Sequence, residues 1–330
     1  MLNPDLKLNN KLFTEETEKE PTRNGYGEGL VEAGRKDDRV VVLCADLTES
    51  TRSEYFKKEF PDRFIQVGVA EQGMATIASG TANYGKIPFI ASYATFSPGR
   101  NWEQIRTTIA LNNVPVKIAG HHAGISVGPD GATHQALEDI ALMRVMPNMI
   151  VVVPCDAIEA KKATLEASSN NKPTYLRFTR EKTPIMTTKD TPFKIGKAEV
   201  FWDNDNPQVA IIGCGPLVYE ALLAAKELDN QGIVVVVVNS HTVKPLDEET
   251  ILEVAKKTGA VVTVEEHQVA GGLGGVVSEL LARNYPVPME FVGMPDSFGE
   301  SGEPDDLLQK YGMKSKHIIE AVRKVIMRKS

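Results

Sequence analysis

The stretch FIQVGVAEQGMATIASGTANYGKIPFIAS, residues 64–92, reads as strand, helix and strand in succession. Phe64–Val69 and Ile87–Ser92 are short apolar runs, and the segment from about Glu71 to Tyr84 between them reads as a helix. Working outward, a helix over Asn24–Lys36 ends at Asp37-Asp38, and Arg39–Ala45 (RVVVLCA) reads as a buried strand. A helix over Asn101–Asn112 follows, then strands Val116–Gly120 and Met149–Val153, a helix over Ala157–Ser168 and strand Thr174–Phe178. Short Val- and Ile-rich strands alternating with helices predict an α/β fold, a parallel sheet covered on both faces.

The 330 residues exceed what one compact core usually holds, which predicts two domains. Residues 1–20 form a polar leader, 21–180 the first α/β domain, 181–195 a Pro- and Thr-rich linker, and 196–330 a second, smaller α/β domain. Its expected elements are strand Val209–Gly213, helix Leu217–Leu228, strand Ile233–Asn239, helix Asp247–Thr258, strand Ala260–Glu265, and helices Gly274–Asn284 and Lys316–Arg328.

Composition narrows the function. With 42% hydrophobic and 25% charged residues the chain is neither disordered nor fibrous. The longest apolar runs, Met149–Val153 and Ile233–Val238, are far short of the roughly 20 residues of a membrane span. The first 20 residues have no secretory pattern, so the protein is expected in the cytoplasm. A net charge of −7 with scattered Lys and Arg argues against nucleic acid or a membrane surface as partner. Cys44, Cys155 and Cys214 lack CxxC spacing and read as buried reduced thiols.

Two segments carry chemistry. In GVAEQG (Gly68–Gly73) a carboxylate, Glu71, stands where an apolar strand gives way to a helix, the edge of an open α/β sheet where ligands bind. There it either shares a proton in catalysis or merely complements the helix dipole. The Gly-rich stretch HHAGISVGPDGATHQ holds His121, His122, Asp130 and His134, half of the six histidines in one loop. It reads as a polar substrate site, with metal binding disfavoured by the absence of i, i+4 spacing and of a cysteine partner. Gly213-Cys214-Gly215 lacks the third glycine of a dinucleotide fingerprint, because Val218 takes its place. The cluster Gly271, Gly272, Gly274 and Gly275 reads first as a packed turn and second as an anion site at a helix N-terminus.

CADLTES (Cys44–Ser50), GVAEQGM, SYATF (Ser92–Phe96), GPDGATHQ followed by LMRVMPNM, PCDAIEA and FGESGEPDDLL together resemble the second half of a transketolase, from Thr22 to the C-terminus. The resemblance implies a pyrimidine-binding domain followed by a transketolase C-terminal domain. The GDG motif by which the family's first half binds Mg²⁺ and the cofactor's diphosphate does not occur. The implied protein is therefore the C-terminal subunit of a split transketolase, working with a separate N-terminal subunit in an α2β2 heterotetramer. Its cofactors would be thiamine diphosphate and Mg²⁺, with the metal ligands on the partner and none in this chain.

Carried over by motif, Glu71 would hydrogen-bond N1′ of the thiamine aminopyrimidine and promote ylid formation. Phe96 would stack on that ring, and Asp46 and Leu47 would lie beside it. Ser97-Pro98-Gly99 replaces a longer aromatic stretch of the family, leaving Tyr93 or Trp102 to complete the pocket. His122 and Asp130 would contact ketose hydroxyls, His134 would lie by the sugar phosphate, and Arg23, Ser50 and Arg180 would bind phosphate. His122 and His134 would move protons. The implied reaction passes a two-carbon ketol unit from a ketose phosphate to an aldose phosphate. A deoxyxylulose-phosphate-synthase-like or 2-oxoacid-dehydrogenase-beta-like subunit, and a non-catalytic assembly subunit, are the alternatives.

Overall fold

The computed structural model describes residues 1–329. In chain order the first unit contains β1 (Lys19–Pro21), α1 (Thr22–Lys36), β2 (Val40–Cys44), α2 (Glu54–Glu59), β3 (Phe64–Gln66), α3 (Glu71–Asn83) and β4 (Ile87–Tyr93). It continues with α4 (Trp102–Gln104), β5 (Lys117–His121), α5 (Asp139–Arg144), β6 (Ile150–Val152), α6 (Ala157–Ser169), β7 (Thr174–Arg177) and β8 (Lys182–Pro184). The second unit brings β9 (Glu199–Trp202), β10 (Val209–Gly213), α7 (Val218–Asn230), β11 (Val235–Asn239), β12 (Thr242–Lys244), α8 (Glu248–Thr258) and β13 (Val261–Gln268). It closes with α9 (Leu273–Asn284), β14 (Met289–Met294), α10 (Pro304–Lys310) and α11 (Ser315–Met327).

Two sheets organise these elements. The larger has the order β12-β6-β7-β5-β4-β2-β3 and the smaller β14-β13-β10-β11-β9. Every pairing is parallel except at one edge of each, where β12 runs against β6 and β9 against β11. Central strands such as β2, β5, β10 and β11 are buried along their whole length, as helix-covered strands must be.

The two units share more than a linker. Strand β12, from the second half of the sequence, completes the first sheet through Thr242 and Lys244 opposite Val152 and Val151. One apolar cluster runs continuously from Leu43, Ile90 and Ile118 of the first sheet to Ile212, Val236 and Val238 of the second. The leader, polar by composition, reaches across to the second sheet: Leu2 bridges Trp202, Leu12 is fully buried, and Phe13 packs edge-on to Trp202. In the linker, β8 pairs antiparallel with β1, and the Asp156 carboxylate accepts the N–H groups of Met186 and Thr187.

Helix α1 carries four glycines at 25, 27, 29 and 34 and would be a poor helix in isolation. Tertiary packing accounts for them. A Cβ on Gly25 would stand 1.8 Å from the Ala157 carbonyl oxygen, and one on Gly29 would meet Thr164, so both let α1 press against α6. Gly27 and Gly34 do the same toward Tyr55, Phe56 and Phe60 around α2. The helix expected over Asn101–Asn112 is instead the single turn α4 followed by a π-helical stretch, Ile105–Ala110, and strand Phe64–Val69 stops at Gln66. The short elements β1, α2, α5, β8, β9, β12, β14 and α10 have no counterpart among those read from the sequence.

Candidate active site

The carboxyl ends of β2, β3, β4, β5 and β7 open on the same side of the parallel sheet, and the chemistry-bearing residues lie just beyond them. Glu71 is the first residue of α3 and is only 2% exposed. Its Oε2 accepts from Arg100 Nη1 at 2.9 Å, and its carbonyl accepts from Asn101 Nδ2 at 3.0 Å. The same Arg100 guanidinium lies 4.9 Å from the centre of the Phe96 ring.

From Phe96 the contacts continue without a break. Tyr93 is nearly parallel to Phe96, with centroids 6.2 Å apart, and stacks closely on His122 at 4.0 Å. His134 stands edge-on to both aromatics, 5.5 Å from Phe96 and 6.1 Å from Tyr93. Arg23, in the first turn of α1, donates through Nη1 to the Ser50 carbonyl at 3.0 Å and to His122 Nε2 at 2.8 Å. Arg180 donates to Asp130 at 3.2 Å and to the Val127 carbonyl. Glu71, Arg100, Phe96, Tyr93, His122, His134, Arg23 and Ser50 thus form one contiguous array, and Arg180, paired with Asp130, lies close enough to His122 to bear on its charge.

The electrostatics of His122 follow from this geometry. A guanidinium has no acceptor, so Nε2 facing Arg23 must carry a lone pair and the ring is neutral. Burial, then the positive charges of Arg23 and Arg180, push its pKa down to about 3. Its backbone sits at φ 50, the left-handed region, which turns the ring out of the β5 line toward Tyr93. His121 points the other way, into the core between Tyr26 and Phe178, and burial holds it neutral as well.

Asp46 is exposed at the end of β2, at φ 59, where its N–H donates to Gln66 Oε1. Leu47 is half-buried against the core beneath α1. Trp102 is not among the grouped aromatics: its indole N–H donates to the Leu142 carbonyl at 3.0 Å, and its ring packs on the shared core. Arg100 is the residue that reading the sequence missed. It follows Ser97-Pro98-Gly99 in an irregular turn, with no periodicity to say where its side chain would fold back.

The second unit supports the histidine loop. Glu266 Oε1 accepts the Ser126 N–H at 2.7 Å, and Gln135 Nε2 donates to the Glu300 carbonyl at 2.9 Å. Gly299 packs closely on the loop, where a Cβ would lie 2.0 Å from Gln135 Oε1. Beneath the loop, buried Arg177 is paired with Asp139, which also accepts from Tyr175, and Arg177 reaches the Glu266 carbonyl. The expected glycine turn is a packed one: the Glu265 carboxylate accepts the N–H groups of Leu273 and Gly274 and so takes up the N-terminus of α9.

Two family models match this arrangement: the transketolase pyrimidine-binding domain over residues 18–186 and the transketolase C-terminal domain over 196–318. The chain belongs to the transketolase family. It is 43% identical over 309 residues to a putative transketolase C-terminal section of Methanocaldococcus jannaschii, covering 92% of this chain and 96% of that protein. It is 40% identical over 321 residues to the 6-deoxy-6-sulfo-D-fructose transketolase subunit SqwH of a Clostridium species, covering 97% and 99%. Among solved structures, a split-gene transketolase described as an inactive beta4 tetramer superimposes with a TM-score of 0.88 at 43% identity, over 94% of this chain and 99% of that one. Against the transketolase of Campylobacter jejuni the TM-score is 0.80 at 26% identity, and this chain spans about half of that enzyme's length.

Proposed function

We propose that this chain is the C-terminal subunit of a split transketolase, which with a separate N-terminal subunit transfers a two-carbon ketol unit from a ketose phosphate to an aldose phosphate. The observation that carries the reading is the array that runs from Glu71 through Arg100 to Phe96, Tyr93 and His122 and on to Arg23. It sets a buried acid and a half-buried aromatic ring at one end and guanidinium groups at the other. The residues present fit the aminopyrimidine half of thiamine diphosphate, since a planar nitrogen heterocycle needs a carboxyl partner and an aromatic face. The one three-ligand group found among the described residues, Glu159, Glu199 and His241, lies near the opposite edge of the large sheet, around β6 and β12. Mg²⁺ and the diphosphate are assigned to the partner because the chain resembles the family's second half and the family binds both through its first.

When bound, the cofactor supplies the carbon nucleophile and the electron sink. Glu71 holds the aminopyrimidine by a hydrogen bond, and Phe96 orients its plane. Neutral His122, its Nε2 lone pair taken by Arg23, donates its Nδ1–H to a donor-sugar hydroxyl, and Asp130 accepts from another. His134, half-exposed beside both aromatics, moves the proton at the sugar oxygen. Arg180, Arg23 and Ser50 grip the anionic end of the sugar, the guanidinium forks suiting a tetrahedral oxyanion.

A sulfonated ketose is the second reading, favoured by the 40% identity to the sulfofructose enzyme's subunit, because the same forks fit a sulfonate. The test is to titrate thiamine diphosphate and Mg²⁺ into this chain, into the partner and into their mixture, and then assay phosphorylated and sulfonated ketose donors. Tight binding and ketol transfer are expected only in the mixture. Glu71→Ala should lower turnover by roughly 100-fold or more with assembly unchanged. Full activity in that variant would favour a non-catalytic role for this chain.

A further inference from the structure

We infer that Arg100 competes with the cofactor's aminopyrimidine for its seat against Glu71 and Phe96 and is displaced from it when the cofactor binds. The inference rests on the reading of Glu71 and Phe96 given above. The Arg100 guanidinium makes both contacts assigned to the ring: an N–H donated to Glu71 Oε2 at 2.9 Å, and a face-on position 4.9 Å from the Phe96 centroid.

The chemistry of the match is specific. A guanidinium is a planar, charge-delocalised amidine with forked N–H donors that stacks on aromatic faces. A 4-aminopyrimidine is likewise planar, and with N1′ protonated it presents an N–H to the Glu71 carboxylate and a π-face to an aromatic ring. The carboxylate could accept from both, but two planar groups cannot lie on one face of the Phe96 ring, so binding is an exchange.

Physical need explains the occupant. Glu71 is 2% exposed, and a buried carboxylate without a partner is costly. The Arg100 side chain, 49% exposed on an irregular turn, satisfies that carboxylate and can still swing into water with little loss. Affinity for the cofactor is then reduced by the fraction of chains in which the seat is filled.

The test is calorimetric titration of thiamine diphosphate with Mg²⁺ into this chain assembled with its partner subunit, comparing wild type, Arg100→Gln and Arg100→Lys. The dissociation constant should fall about 3- to 10-fold in Arg100→Gln, the scale of one half-exposed ion pair. Arg100→Lys keeps the charge without the planar fork and should lie between. In a Glu71→Ala background the Arg100→Gln change should have a much smaller effect, because the ion pair is already gone. Binding by Arg100→Gln that is unchanged or weaker, in a variant whose thermal unfolding matches wild type, overturns the inference and makes Arg100 a ligand of the bound cofactor or a bystander. Should Arg100→Gln fail to fold, Arg100→Lys decides alone: tighter binding than wild type supports the exchange and equal or weaker binding removes it. Absence of cofactor binding by the wild-type assembly itself removes the proposed function, and this inference with it.

Discussion

His122 shows how one contact fixes the chemistry of a residue. With Arg23 donating to Nε2 from 2.8 Å, a proton on that nitrogen would meet a cation head-on. The ring should therefore stay neutral across the physiological range, with its pKa near 3 where an exposed histidine has about 6.5. Carbon-13 and nitrogen-15 shifts of His122 recorded from pH 5 to 8 should not move, and a midpoint near 6.5 would show that the Arg23 contact does not persist in solution. The GVAEQG and HHAGISVGPDGATHQ segments gave away Glu71, Asp130, His122 and His134, because strand ends and Gly-rich polar stretches are local information. What they concealed was pairing. No spacing in the sequence says that Arg23, 99 positions earlier, faces His122, or that Arg100 folds back on Glu71.

At the scale of elements, the local pattern located most central strands and the long helices, since apolar runs and turn residues are written into each segment. It failed where packing overrides local preference. Helix α1 survives four glycines because α6 and α2 approach too closely for anything larger. Gly25→Ala improves intrinsic helix propensity by about 1 kcal/mol, yet its Cβ would stand 1.8 Å from a backbone oxygen. The expected net effect is a loss of about 3 kcal/mol, read as a lower denaturation midpoint in urea. A gain in stability would mean that α1 and α6 are not in the contact described. The edge strands β9 and β12 escaped notice for a related reason: with three or four residues apiece, they are strands by virtue of their neighbours.

The whole molecule is joined by a polar seam as well as by its shared core. Glu199 of β9 lies with Oε2 3.2 Å from His241 Nε2, beside β12 and near Glu159 of α6. Burial, reinforced by Asp247 and Glu166 and opposed by Lys162, pushes the Glu199 pKa up to about 8, while burial lowers that of His241. The folded chain thus keeps a proton that the unfolded chain releases near 4.5. Stability from this group is complete below about pH 4.5 and is lost as the pH rises through 8. Denaturation from pH 5 to 9 should show wild type losing ground steadily to Glu199→Gln as the pH rises. Parallel pH dependences would mean that Glu199 is ionised in the fold.

The amino-acid sequence by itself determined the α/β class, the succession of most strands and helices, and which short segments carry acids, histidines and arginines. Each of these depends on neighbours a few residues apart, through side-chain periodicity, turn chemistry and strand-end geometry. Only the tertiary structure decided that β12 of the second unit completes the first sheet, that Glu266, Glu300 and Gly299 hold the histidine loop, and that Trp102 turns away from Phe96. Those outcomes depend on contacts between distant segments, where burial, close packing and the pairing of buried charges choose among arrangements that local sequence leaves equally open.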